Sequence, residues 1–262
     1  MTDLELINLK LQQFGFFPEF SNTSKYISKI KSYLGVRQAN NILNNIDFIL
    51  GTSKVEDAEN DIADLIGNDD ILLKIIYSTG IETSAVIFNS MLNILDKTAI
   101  NPKIIADLGG ANGWALVLLE EYFENNSILL LIEQNKTWGR VNSDIQCIYE
   151  KYNNVSIDKK VDFAISIFGI SAFNSEALLK CASYILSDEG YLLLALRIPD
   201  DSTFRNFQII AKSNGLGIIQ DFSRRVIYQN QSSKRTETFP IIMLSKSIVN
   251  SETYKLQDLK LE

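Results

Sequence analysis

Residues 103–123 read KIIADLGGANGWALVLLEEYF: an apolar strand, a glycine-rich elbow at Gly109–Gly113, and an amphipathic helix. A strand–turn–helix unit of this kind gathers backbone N–H groups and a helix N-terminus around a ligand, so the elbow is both the organising point of the fold and its candidate site. Downstream of it the apolar segments alternate between strand and helix. Strands are expected at 103–108, 127–133, 145–150, 161–168, 190–197, 217–228 and 238–246, and helices at 113–124, 174–186 and 202–213. That alternation predicts an α/β fold with a seven-stranded, mostly parallel sheet covered on both faces. The last two strands flank the polar stretch YQNQSSKRTE and read as an antiparallel edge hairpin.

Upstream of the elbow the periodicity is helical throughout. TDLELINLKLQQFG opens on a capping box, Thr2 to Glu5, and stops at Gly15. Tyr26, Ile27, Ile30, Tyr33 and Leu34 form a stripe closed by Gly35, and Ile42, Leu43, Ile46, Ile49 and Leu50 form another before Gly51. Two further apolar helices follow around ILLKIIYST and SAVIFNSMLNIL, making about five helices in all. Packing in the core is the ordinary reading of these stripes, with Phe16, Phe17, Phe20 and Tyr26 also placed to line a substrate cleft. The chain therefore divides into an all-helical region, 1–98, and a sheet domain, 99–262, with a soft boundary near 97–102.

Composition narrows the chemistry. The 262 residues carry 32 acidic against 25 basic side chains, a net charge of −7, which argues against a nucleic-acid partner because a phosphate backbone needs a basic face. The apolar runs are too short to span a membrane, and the N-terminus lacks a basic segment followed by an apolar one, so a cytoplasmic location is the default. Cys147 and Cys181 lie in apolar segments without metal-ligand spacing and read as reduced core thiols. Histidine is absent, so any chemistry proceeds without an imidazole base.

The elbow is not a dinucleotide fingerprint, which requires G-x-G-x-x-G. It is Asp107-Leu108-Gly109-Gly110-Ala111-Asn112-Gly113, with an acid at the strand end that would repel a pyrophosphate and favour an ammonium or sulfonium. Glu133 closes the next strand, 20 residues after Gly113, where a carboxylate can accept both hydroxyls of a ribose. The implied ligand is a nucleoside with a cationic tail.

On these residues the stretch from about 84 to 247 resembles the class I S-adenosylmethionine-dependent methyltransferases, whose Rossmann-like sheet ends in a β-hairpin and whose D/E-x-G-x-G-x-G loop and second-strand acid have counterparts here. The resemblance implies S-adenosylmethionine as cofactor. Its methionine end would lie on Asp107, Gly109, Gly110, Ala111 and Gly113, its ribose on Glu133 with Gln134 beside it, and its adenine near Glu150, with Phe168 also among the cofactor-binding residues. Two departures stand out. Ala111 replaces the middle glycine, and the adenine-side acid is Glu150 only if IQCIYE is strand three; a strand at NVSI would nominate Asp158 instead. Trp138 either folds over the adenine or, the preferred reading, caps the core. Phe168-Gly169-Ile170-Ser171 offers no acid after strand four, so no metal is expected, and Asp200 and Asp201 read as a solvated turn.

The implied reaction is methyl transfer to an N or O atom of a small molecule by in-line displacement, which depends chiefly on proximity, orientation and desolvation. No general base is identified. Phe168, Ser171 and Arg197, after strands four and five, line the crevice expected to take the acceptor, and Arg197 would either clamp an acidic substrate or pair with Asp200 or Asp201. The helical region would serve as lid, homodimer interface or both. Two other classes remain open: a methyltransferase-fold binding or regulatory partner without activity, which Ala111 and the missing base favour, and a nucleotide-linked oxidoreductase, which Asp107 disfavours.

Overall fold

The computed structural model describes residues 4–18, 23–52, 61–62, 64–67, 69–169, 175–198, 200–229, 236–248 and 253–262. Thr2, Phe20, Ser171 and most of the turn between the last two long strands lie outside them.

A nine-stranded sheet forms the centre, with strands β1 (Ile104–Leu108), β2 (Ile128–Ile132), β3 (Gln146–Ile148), β4 (Val161–Ile167), β5 (Leu186–Ala195), β6 (Gly217–Ile218), β7 (Arg224–Gln229), β8 (Thr236–Ser245) and β9 (Lys260–Leu261) in the order β3-β2-β1-β4-β5-β8-β7-β9, β6 also pairing with β8. Strands β1 to β5 pair parallel; β8 runs antiparallel to β5 and β7, as an edge hairpin. The two directions of winding diverge between β1 and β4. That is the switch point at which open α/β sheets leave a crevice beyond the strands' carboxyl ends.

Period-two alternation assigns the faces. Ile105, Leu131, Phe163, Ile165, Leu193, Ala195, Ile241 and Met243 point to one face, where they share a cluster with the N-terminal helices α1 (Leu4–Gln13), α2 (Thr23–Leu34), α3 (Val36–Thr52) and α4 (Asp70–Leu95) and with α5 (Trp114–Phe123). Ala106, Leu108, Ile132, Ala164, Leu192, Leu194, Ile242 and Leu244 point to the other, against α6 (Ser175–Ile185) and α7 (Asp201–Ser213). At roughly 1.5–3 kcal/mol for each large apolar side chain buried, these two layers supply the driving force that makes the alternation binding.

Four expectations change in the structure. The sheet, expected with seven strands, has nine among the described residues, because the strand expected at 217–228 divides into β6 and β7 and the two-residue β9 joins the edge. The two helices expected around ILLKIIYST and SAVIFNSMLNIL are one, α4, bent by 68° between Ser78 and Gly80. Gly80 lacks a side chain to stiffen the turn, and Ser78 Oγ donates back to the Lys74 carbonyl at 2.6 Å, a contact that opens helices. The expected strand 217–228 is interrupted by a 3₁₀ turn, Gln220–Phe222, where Ser223 Oγ binds the Ile219 carbonyl and the Met243 N–H. Leu50, expected in a buried stripe, is 61% exposed, as is Phe48 at 68%. Among the described residues no single helix is long and apolar enough to cross a membrane.

The second half of α4 descends along the sheet towards the start of β1. Its first half is therefore thrown across the carboxyl edge, where Tyr77 and Phe16 meet Trp138 with ring centroids 4.7 and 6.2 Å away. Trp138 is buried among them, in the short turn after β2, so it packs the junction as the preferred reading held.

Candidate functional site

Asp107, the penultimate residue of β1, is 2% exposed and lies on the face toward α4 and α5. Its carboxylate folds back over the elbow so closely that a Cβ on Gly110 would stand 2.0 Å from Oδ2. The motif's nominally free position is thus restricted to glycine. Ala111, where the family pattern has glycine, sits at φ 54° between Gly109 at 75° and Gly113 at 80°. The elbow keeps three left-handed residues, one of them carrying a Cβ that such a conformation penalises.

Glu133, one residue past β2, holds this elbow from the side. Its two carboxylate oxygens accept N–H groups from Ala111 (3.1 Å) and Asn135 (3.0 Å). Two acids therefore converge on one turn. Burial first, and then the charge of Glu133, push the Asp107 carboxyl up to about 8. Among the described residues Asp107 has no hydrogen-bond or ion-pair partner. Asn112, also buried in the elbow, has both amide atoms unpartnered among the described residues. Its carbonyl accepts the Val141 N–H at 3.0 Å, which fixes the turn against the segment after β2.

Across the switch point, the end of β4 is drawn onto the same elbow. Ser166 Oγ donates to the Leu108 carbonyl at 2.8 Å, and Tyr152 Oη donates to the Gly169 carbonyl at 3.1 Å. Gly109 faces Gly169 so nearly that an added Cβ would lie 2.7 Å from the Gly169 Cα and from Tyr152 Oη. Sequence reading missed Asn112, Tyr152, Ser166 and Gly169 as parts of the site. Tyr152 lies in an isolated 3₁₀ turn with no period to flag it, and the other three are ordinary small residues until the strands are paired.

The remaining candidates are placed unevenly. β3 is Gln146–Ile148, within IQCIYE, and NVSI forms no strand, so Glu150 rather than Asp158 follows strand three; Glu150 is exposed there. Gln134 is exposed beside Glu133. Phe168 ends β4 at φ 55°, with its ring 5.1 Å from that of Phe239. The Arg197 guanidinium stands over the Phe168 ring, 5.7 Å from its centroid. The alternative expected for Arg197, an ion pair with Asp200 or Asp201, does not form. Those acids are exposed, as expected, and also make backbone contacts: Asp200 caps α7 by accepting the Thr203 N–H, and Asp201 accepts the Leu256 N–H. Both cysteines are free thiols; burial pushes Cys181 up to about 12. No group of His, Cys, Asp or Glu among the described residues could hold a metal ion.

No family model matches the chain, and no curated protein matches it. Solved structures similar to it include StiE O-MT (13% identity, TM-score 0.49, 63% of this chain and 76% of that one). A SAM-dependent methyltransferase of Thermotoga maritima has 14% identity and a TM-score of 0.47 over 65% of this chain and 94% of its own. The N-methyltransferase NodS of Bradyrhizobium japonicum has 16% identity and a TM-score of 0.45 over 61% and 93%. The strand order of the chain itself is that of a Rossmann-like, mostly parallel α/β sheet with an antiparallel edge.

Proposed function

We propose that this protein is an S-adenosylmethionine-dependent methyltransferase acting on an N or O atom of a small molecule. One observation carries the reading: two carboxylates, Asp107 buried and Glu133 beside it, converge on a left-handed turn, and Asp107 has no partner among the described residues. A buried acid without a counter-charge is costly, and a cationic ligand removes that cost. The donor set therefore fits the cofactor: a carboxylate for an ammonium or sulfonium, an unpartnered amide in Asn112, and a second carboxylate, Glu133, at the end of the neighbouring strand where a ribose would lie.

In this reading Asp107 and the turn Gly109, Gly110, Ala111 and Gly113 hold the cationic end, Glu133 the ribose, and Gln134 and Glu150 the surroundings of the base, with Phe168 between the cofactor and the acceptor crevice. When bound, the cofactor supplies a methyl carbon already activated by a sulfonium. The chain then has to exclude water and align the acceptor. Residues 1–98 act as the lid, since the bend in α4 carries Tyr77 across the carboxyl edge and Phe16 packs beside it. No histidine serves as base, and burial together with nearby carboxylates pushes the Tyr228 phenol up to about 12, so it stays neutral at physiological pH.

A second reading, a methyltransferase-fold binding partner that transfers nothing, is favoured by the near contact of Gly169 and Tyr152 with Gly109. Calorimetric titration with S-adenosylmethionine, S-adenosylhomocysteine and NAD tests both. Binding of the first two, and its loss on Asp107→Ala, is expected; binding of NAD alone or of none of the three would end the proposal. Tight binding with no methyl transfer to any of a panel of amines, phenols and acids would favour the second reading.

A further inference from the structure

We propose that Arg197, Phe168 and Phe239 form the acceptor subsite, and that it takes a planar aromatic carboxylate. The inference rests on the methyltransferase reading and names the substrate class for it. Arg197 continues the alternation Leu193, Ala195 beyond β5, and so projects on the face toward α4. It is exposed, its guanidinium stands over the Phe168 ring, and among the described residues no carboxylate lies within ion-pair distance of it. The nearest acids in sequence, Asp200 and Asp201, accept backbone N–H groups elsewhere. A guanidinium held over a ring face without an ion-pair partner offers a carboxylate the fork of donors that matches it.

Phe168 gives the second, independent observation. A bulky residue at φ 55° is an outlier whose strain, about 1–3 kcal/mol, persists only where the surroundings enforce it. Here its N–H is tied to the Ala195 carbonyl at 3.1 Å, and its ring is set edge-on to Phe239 on β8. The effect of that conformation is to present an aromatic face beneath Arg197 at the carboxyl edge. The next residue, Gly169, abuts Gly109, so the platform adjoins the elbow assigned to the methyl donor. A ring would lie against the aromatic pair while its carboxylate meets Arg197. Because the guanidinium fork engages both carboxylate oxygens, the acid anchors the acceptor and the methyl group goes to another atom of it. In a chain of net charge −7, with two acids at the neighbouring elbow, an anion needs such a fixed cation to remain there.

The test is direct binding, followed by nuclear magnetic resonance or calorimetry, with benzoate, benzamide, acetate and benzylamine as probes, each with and without S-adenosylhomocysteine. Benzoate should bind about tenfold more tightly than benzamide or acetate, the first ratio reporting the charge and the second the ring. Arg197→Gln should remove the preference for benzoate over benzamide while leaving the thermal midpoint unchanged, and Arg197→Lys should keep only part of it. Benzoate binding no better than benzamide, benzylamine binding best, or Arg197→Gln leaving benzoate affinity intact would each overturn the assignment. Since no methyl transfer is measured, benzoate selectivity without S-adenosylhomocysteine binding would keep the acid site and remove the methyltransferase reading. The converse would keep that reading and remove the site.

Discussion

The two turns that face each other across the switch point, Gly109–Gly113 after β1 and Phe168–Gly169 after β4, both use left-handed backbone, and they use it differently. The first folds inward. It buries an acid, binds a second acid through the Ala111 N–H, and leaves almost no side chain exposed. The second faces outward, forcing a phenylalanine into the conformation a glycine would adopt and setting an exposed arginine upon it. The difference separates recognition of a common feature, met by backbone and fixed charge, from recognition of a particular partner, met by side chains that could be exchanged without refolding the sheet.

The inward turn should be the fragile one. Gly110→Ala places a methyl group 2.0 Å from Asp107 Oδ2 and cannot coexist with it. A loss of roughly 3 kcal/mol in urea unfolding is expected, the upper end for overpacking, and a loss below about 0.5 kcal/mol would show that Asp107 does not lie over the elbow. By contrast Arg197→Gln should leave stability untouched.

Next in size is a pH effect confined to the same turn. Because the Asp107 carboxyl titrates near 8 in the folded chain, the folded state holds a proton that the unfolded state has released above about 4. Stability is therefore greatest at the acid end of that window and declines as pH rises to 8. Asp107→Asn should abolish that decline, making the variant more stable than the parent by at least about 2 kcal/mol at pH 9 and nearly equal to it at pH 4.5. With no histidine present, no imidazole titration obscures the comparison. Parallel stability curves for the two proteins would mean that Asp107 is ionised in the free chain.

A smaller effect is expected of Glu133→Ala, which frees the N–H groups of Ala111 and Asn135 and should weaken S-adenosylmethionine binding about tenfold. An unchanged dissociation constant would reduce Glu133 to a structural brace. Smallest is Ala111→Gly, which relieves the Cβ at φ 54° and should raise stability by about 1 kcal/mol, with cofactor affinity preserved or improved. A stability loss would mean that the Ala111 methyl group packs usefully.

The sheet was legible because short apolar runs such as Ile104–Leu108 and Ile128–Ile132 are local signals of buried parallel strands, and so was the convergence of Asp107 and Glu133, since parallel pairing sets adjacent strand ends side by side. What escaped was set by tertiary contact. ILLKIIYST and SAVIFNSMLNIL read as two helices, yet burial of Ile81, Ala85, Phe88 and Leu92 carries α4 through Gly80 with a bend. Asp200 and Asp201 are solvent-facing as read, but their partners, the Thr203 and Leu256 N–H groups, were hidden because they require a capped helix and a returning C-terminal segment. The restriction at Gly110 was hidden too, for a rotamer of Asp107 imposes it, and no spacing in the sequence reports a rotamer.

The bend in α4 also bears on how the molecule comes apart. One helix contributes Leu73 and Ile76 to the packing over the carboxyl edge and Phe88 and Leu92 to the packing under the sheet, all within a single apolar cluster. Ser78, at the bend, accepts the Phe17 N–H at 2.9 Å and so ties the segment after α1 to the same pivot. Helices joined in this way have no interface to separate along and no core of their own to melt. The chain should behave as a single cooperative unit, showing one calorimetric peak, with the slowest-exchanging amides of α4 and β4 opening only in the global transition.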